Sequence, residues 1–191
     1  MSVSPDQALQ LQPDLIEACR RGEREAIRVF YDAYKDGVFS LAYHILGDAA
    51  SAGDVTQQVF LKVFSRIGQY RGDGSFSAWL HRLVVNECLD ERRSRRRFVS
   101  LEIGAADGEI PVESSQERNY LKGQLAAAVH AALAQLKPEF RAPVALRYLK
   151  GLSYEEIGSV LGCSSGTVAS RLNRAHKMLA KKLAPWRGML G

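Results

Sequence analysis

Two stretches of this 191-residue chain carry side chains whose types and spacing suit a polyanion. The first is the arginine cluster Arg92, Arg93, Arg95, Arg96 and Arg97, preceded at helical spacing by Asn86 and Asp90. Guanidinium groups bind phosphate oxygens in a fork, and such contacts position a protein on nucleic acid without specifying sequence. Just upstream, the loop holding Arg71, Asp73 and Ser75 has Tyr70 and Phe76 at its edges. It is polar and open enough to hold an extruded base, while Trp79 reads as core. The second stretch holds Ser165, Thr167, Ser170, Arg171, Asn173, Arg174 and Lys177. From one helix, Asn173 and Arg174 can reach base edges, where amide and guanidinium groups match purine donors and acceptors.

The elements that must position the second set run from Leu152 to Leu183. Ser153 and Glu156 form a capping box that starts a short helix. Ile157 and Leu161 give it a buried face, and Gly158 leaves room for a second helix to cross closely. Gly162 falls where the chain must turn, a place suited to a residue that tolerates positive φ. Ser164 or Ser165 can cap the next helix. Its apolar residues Val168, Leu172, Ala175, Leu179 and Leu183 recur at three- and four-residue steps. A short helix, a glycine turn and a second helix with a polar, basic outer face describe a DNA-reading helix-turn-helix. A plain hairpin with a solvated basic face would not need the small residue at 158, the glycine at 162 and the apolar residue at 168 together.

The rest of the chain reads as helix throughout. A loose leader, 1–13, precedes a short helix from Asp14 to Arg21. A longer helix from Glu23 to Leu46 carries Ala26, Phe30, Tyr34, Val38, Leu41 and Ile45 on one stripe. Gly47 to Gly53 reads as a connector. A helix from Asp54 to about Ile67 buries Val55, Val59, Val63 and Ile67, leaving Asp54, Gln57, Gln58 and Lys62 on its other side. The next starts near Phe76 and ends in the arginine cluster. Residues 98–118 lose the pattern to glycine, proline and acidic residues and read as a flexible linker whose maximum reach is about 65–70 Å. Helical pattern resumes with Leu121, Leu125, Val129, Ala132, Leu133 and Leu136. Pro138 opens another helix, and Pro143 should bend or loosen it. No segment alternates with period two. The expectation is an all-α protein of two small helical-bundle domains, 14–97 and 119–187, joined by the linker, the C-terminal one containing the helix-turn-helix.

Composition narrows the function classes. A formal charge of +5 favours a polyanionic partner. Cys19, Cys88 and Cys163 are odd in number and form no C-x-x-C pair, which suits a reducing cytosol and disfavours a disulfide framework. The N-terminus lacks a basic start and an apolar core, so no secretory signal is expected. The most apolar run, LAAAVHAALAQL, is about half the ~20 residues a spanning helix needs, so direct membrane insertion is not expected and the protein reads as cytoplasmic. His44, His81, His130 and His176 show no metal-ligand spacing, and no phosphate-cradling glycine loop occurs. No metal, no cofactor and no catalysis are expected.

DVTQQVFLKVF, then FSAWLHRLVVNECLDERRSRRR, then LRYLKGLSYEEIGSVLGCSSGTVASRLNRA resemble, in this order, the extracytoplasmic-function (ECF) sigma factors, the minimal two-domain sigma subunits of bacterial RNA polymerase. The resemblance covers about Asp14 to Lys182. It implies a protein that directs core polymerase to specific promoters in a stress or envelope response. Its first domain would read and open the −10 element through Arg71, Asp73, Ser75, Asn86, Asp90, Arg93, Arg96 and Arg97. Its second would read the −35 element through Ser165, Thr167, Ser170, Arg171, Asn173, Arg174 and Lys177. Asp54, Gln57, Gln58, Phe60 and Lys62 would face the clamp helices of the β′ subunit, and the β flap is a further expected polymerase contact. An anti-sigma factor is an expected partner. Ala169 stands where the family often has Lys or Arg, and Gly53 where an acidic residue is common. The rival reading is a stand-alone helix-turn-helix regulator that acts without polymerase.

Overall fold

The computed structural model describes residues 12–70, 75–99 and 117–189. The expected site residues Arg71 and Asp73, and nearly all of the 98–118 linker, lie outside these, as do the side chains of Arg96 and Arg97. In chain order the elements are α1 (Gln12–Arg20), α2 (Arg24–Leu46), α3 (Ala49–Arg66), a 3-10 turn (Ile67–Gln69) and α4 (Phe76–Val99). After the linker come α5 (Glu117–Ala134), α6 (Pro138–Lys150), α7 (Tyr154–Leu161), α8 (Ser165–Lys182) and a 3-10 turn (Ala184–Met189). Among the described residues there is no strand.

The first bundle forms around Phe30, which is fully buried on the expected stripe of α2. Phe60, Phe64 and Phe76 meet its ring edge-on, with centroids 6.3, 5.8 and 5.6 Å away, an arrangement the aromatic quadrupole favours. Val55, Val59, Val63 and Ile67 are buried as their spacing predicts. The connector expected at 47–53 is corrected: α3 begins at Ala49. Asp48 accepts a 2.7 Å hydrogen bond from the Ser51 N–H and so caps the helix. Behind that cap, Ala49, Ala50 and Ala52 have propensity enough to carry Gly53 inside the helix.

In the second bundle α6 and α7 pack against α8. The capping box forms, with the Ser153 hydroxyl 3.2 Å from the Glu156 N–H and the Glu156 carboxylate accepting from the Ser153 N–H at 2.7 Å. Gly162 closes α7 at φ 64°. A Cβ on Gly158 would sit 2.6 Å from the Cys163 carbonyl oxygen, so only glycine lets α7 and the start of α8 come this close. Ser164 is the cap of α8, and Ser165 is its first residue. Pro143 does not break α6, which runs unbroken to Lys150 with residues 141–146 buried. A proline there removes one helical N–H, and the packed face holds the turn around it.

The two bundles meet along a seam that the hydrophobic pattern did not announce. Arg141 is 1% exposed. Its Nη1 donates to the Ile45 carbonyl at the end of α2 (2.9 Å), and its Nη2 donates to Ala134 and to Leu136 (3.1 Å). Lys150 Nζ donates to the Gly37 carbonyl at 3.1 Å, and Arg82 Nη2 donates to the Ser159 carbonyl at 2.8 Å. The linker composition predicts bundles free to reorient, whereas here cations of each half bond backbone carbonyls of the other. In sequence each of these cations looks like an ordinary surface residue.

Candidate nucleic-acid and polymerase interfaces

The outer face of α8 is set by what the helix buries. Val168, Leu172 and Ala175 point inward, which leaves Ser170, Asn173, Arg174 and Lys177 exposed at i, i+3, i+4 and i+7. These four share one stripe. Ser165 is exposed at the start of the helix, and Thr167 is half-buried, its Oγ1 3.0 Å from the capping Ser164 hydroxyl. Ser170 Oγ donates to the Thr167 carbonyl at 2.9 Å. Arg171 lies beside the stripe, half-buried, with Nη1 3.8 Å from the Cys163 sulfur. The stripe presents an amide, a guanidinium, an ammonium and a hydroxyl on a helix held from behind, and these are groups that read base edges and phosphates in a major groove.

On α4, Asn86, Asp90 and Arg93 are exposed and aligned at i, i+4 and i+7. Unlike those on α8, the cations here have carboxylates close by. Arg93 Nη1 lies 3.2 Å from Asp90, and Arg95 lies 2.9 Å from Glu91 and 3.4 Å from Asp48. Ser75 is occupied locally: its hydroxyl accepts from the Ala78 N–H at 3.1 Å at the start of α4. Trp79 packs on Tyr70 and Phe76, at 5.7 and 5.3 Å between centroids, in keeping with a core role.

On α3, Asp54, Gln57 and Gln58 are exposed on one stripe. The same stripe continues at i+7 to Leu61, which is 64% exposed. Sequence reasoning passed over Leu61; the signal was an apolar residue in phase with three polar ones. Two expected members of the set behave differently. Phe60 is 4% exposed, because its ring fills the space between Phe30 and Tyr31, so it shapes the face from beneath and is no exposed contact. Lys62 turns toward α4 and pairs with Glu87.

Two family models match the chain: sigma-70 region 2 over residues 30–98, and sigma-70 region 4 over residues 126–179. The chain is 34% identical over 179 residues to the RNA polymerase sigma-H factor of Pseudomonas aeruginosa, covering 90% of this chain and 93% of that protein. The ECF RNA polymerase sigma-E factor of Escherichia coli K12 is 30% identical over 179 residues, covering the same shares of each chain. This protein is an ECF sigma factor. The fold agrees: the sigma factor RpoE of Bartonella quintana, solved with the anti-sigma factor NepR, superposes with a TM-score of 0.68 at 22% identity over 82% of this chain and 96% of that one. CnrH, solved with the cytosolic domain of CnrY, gives 0.62 at 21% identity over 90% and 96%.

The sigma factor therefore directs core RNA polymerase to specific promoters and initiates DNA-dependent transcription, with core polymerase and promoter DNA as its partners. The stand-alone regulator is set aside, because the N-terminal half that it would leave unexplained is the half that matches region 2. Among the described residues no group of three or more His, Cys, Asp or Glu could hold a metal ion, and no helix is long and apolar enough to cross a membrane.

Proposed function

We propose how the sigma factor divides its task among its residues. The α8 stripe of Ser170, Asn173, Arg174 and Lys177, with Ser165, Thr167 and Arg171 at its start and flank, reads the −35 element. Asn86, Asp90 and Arg93 on α4, continued by Arg96 and Arg97 and joined by the loop holding Arg71, Asp73 and Ser75, engage the −10 element. Asp54, Gln57 and Gln58, together with Leu61, form the face that docks on the β′ clamp helices, and the second bundle meets the β flap. The division follows two functional units, 14–97 and 119–187, with 98–118 as the tether between them. The sigma factor works in the cytoplasm and performs no reaction of its own; bond formation belongs to the polymerase. An anti-sigma factor is its regulator, a reading supported by the Bartonella quintana sigma factor, which was solved with the anti-sigma factor NepR.

The observation that carries this reading is the α8 stripe: four polar groups in phase on a helix whose opposite side is locked into the bundle. Run-off transcription with core polymerase on a promoter library tests it. Substitutions at Asn173 and Arg174 should change which −35 sequences are used, while Gln58→Lys should lower core binding with the −35 preference intact. If Gln58→Lys and Asn173→Ala gave the same promoter profile, the division would be wrong.

A further inference from the structure

The four histidines have no ligand spacing in sequence, yet the fold brings two of them together. His44, near the end of α2, and His130, on α5, meet across the seam with ring centroids 5.3 Å apart. Tyr43 packs against both, at 5.6 and 5.7 Å. Arg141 holds the two helices in this meeting. Its guanidinium bonds the carbonyl of Ile45, next in the chain to His44, and that of Ala134, one turn beyond His130. His44 Nδ1 lies 2.7 Å from the Ser40 carbonyl. A carbonyl can only accept, so Nδ1 carries the proton and Nε2 of the neutral ring keeps its lone pair. A ring N–H fixed by a backbone carbonyl is the arrangement that orients metal-ligating histidines. His130 has no hydrogen-bond partner among the described residues. Burial, then the charge of His44, lower its pKa, so its ring is neutral at pH 7 and also offers a lone pair. Both rings are half-buried and remain in reach of solvent.

We propose that His44 and His130, one from each bundle, form a binding site for a divalent transition-metal ion of the zinc and nickel kind, with water completing its shell. Imidazole nitrogens suit these ions, whereas magnesium and calcium take oxygen ligands. Two imidazoles on one tetrahedral ion, with metal–nitrogen bonds of about 2.0–2.1 Å, hold their ring centroids roughly 5 Å apart. The observed separation of 5.3 Å meets that requirement. With two protein ligands the ion exchanges readily, unlike a structural zinc held by four. An ion on both rings ties α2 to α5 and adds a cross-link to the seam that Arg141, Lys150 and Arg82 already make. This inference goes beyond the promoter reading and is tested without DNA or polymerase.

The experiment is titration calorimetry of the untagged full chain with zinc chloride near neutral pH, with magnesium chloride at matched ionic strength as control. One zinc per chain should bind, and magnesium should not compete. His44→Gln and His130→Gln should each weaken zinc roughly tenfold or more, with helicity unchanged by circular dichroism. The double variant should lose no more than the weaker-binding single one, because the two rings serve one ion. Cys163→Ser removes the one thiol that is not buried and should leave zinc affinity unchanged. Proton spectra of the unaltered protein give a readout independent of any variant: two of the four histidine rings should shift together, complete at one equivalent of zinc. Full affinity in either single histidine variant, loss of binding in Cys163→Ser, parity with magnesium, or shifts in His81 or His176 in place of this pair would overturn the inference and leave the two rings as packing partners.

Discussion

The two helices proposed to face DNA carry similar residue types and hold them very differently. Helix α8 buries only a narrow stripe and leaves Ser170, Asn173, Arg174 and Lys177 toward solvent, on a rigid support made by the capping box and the tight crossing at Gly158. Helix α4 is embedded. Its first turns carry Phe76, Leu80, Val84 and Val85 into the core, His81 faces the seam beside Lys150, and its last described cations are paired with Asp90, Glu91 and Asp48. Groups that keep their hydrogen-bonding capacity can discriminate bases, because an unmatched partner leaves them unsatisfied. Cations balanced by their own carboxylates act through net charge, which senses phosphate and not sequence. Under the proposed division, reading and anchoring are separated by how much of each helix the protein itself engages.

The hardest way to break the α8 side is to remove its support. Gly158→Val would force a side chain onto the Cys163 carbonyl, where even a Cβ would stand at 2.6 Å. The expected cost is about 1–3 kcal/mol of stability from overpacking, with −35-dependent transcription lost. Urea melts and run-off assays would measure both, and hydrogen exchange should show residues 12–70 and 75–99 still protected. Normal promoter selectivity in this variant would mean that the close crossing does not set the reading helix.

The embedded side predicts a response to acid. His81 lies in a cavity of about 160 Å³, faced by Tyr34 of α2 and Lys150 of α6, with its Nδ1 out of water and unpaired. Burial, then the Lys150 charge, push its pKa down to about 4 from the ordinary 6.5. Between those values the unfolded chain binds more protons than the folded one, so stability rises with pH there. It is full above pH 6.5 and falls as pH drops toward 4, by roughly 3 kcal/mol at most. His130, whose pKa is lowered by burial and by His44, adds in the same direction. Denaturation curves across this window should steepen for the wild type and flatten for His81→Leu; equal pH dependence in both would remove His81 as the cause.

How much of this was legible in the sequence depended on whether a residue's partner lay nearby in the chain. The capping box, the turn at Gly162 and the stripes through Phe30 and Val59 are set by three- and four-residue spacings, and each is present. The start of α3 departs from the connector expected at 47–53 because the alanines and the cap at Asp48 outweigh the glycines there. Phe60 was placed on the outer face because its burial comes from Tyr31, a residue of another helix. The seam was invisible for the same reason: Arg141 bonds a carbonyl of Ile45, far away in sequence. Leu61 could have been found, since an exposed leucine in phase with Asp54, Gln57 and Gln58 stands out once the helix is drawn as a wheel.

The comparison sharpens at Arg174. It is exposed on the reading stripe, so Arg174→Ala should cost about 1–3 kcal/mol at particular −35 positions and relax the preference there. Binding of a library of single −35 variants would measure this. An equal loss on every variant would make Arg174 an anchor like those of α4 and would erase the distinction between the helices.

The smallest effect, and the most direct test of the contrast, lies in the Asp90–Arg93 pair. Both side chains are exposed, at 59% and 75%, so the pair is screened and adds little to the fold. In the proposed division, Asp90 partly neutralises a cation that faces DNA. Arg93→Ala should weaken many promoters alike and flatten the salt dependence of binding by about one unit, the value for one lost phosphate contact. Asp90→Asn removes the balancing charge and keeps the side chain's size, so Arg93 turns fully to phosphate and binding tightens by the same small factor on every promoter. The two substitutions should therefore move affinity in opposite directions and leave the ranking of promoters unchanged. If Asp90→Asn instead weakened some −10 sequences and spared others, Asp90 would be reading bases, and α4 would discriminate as α8 does.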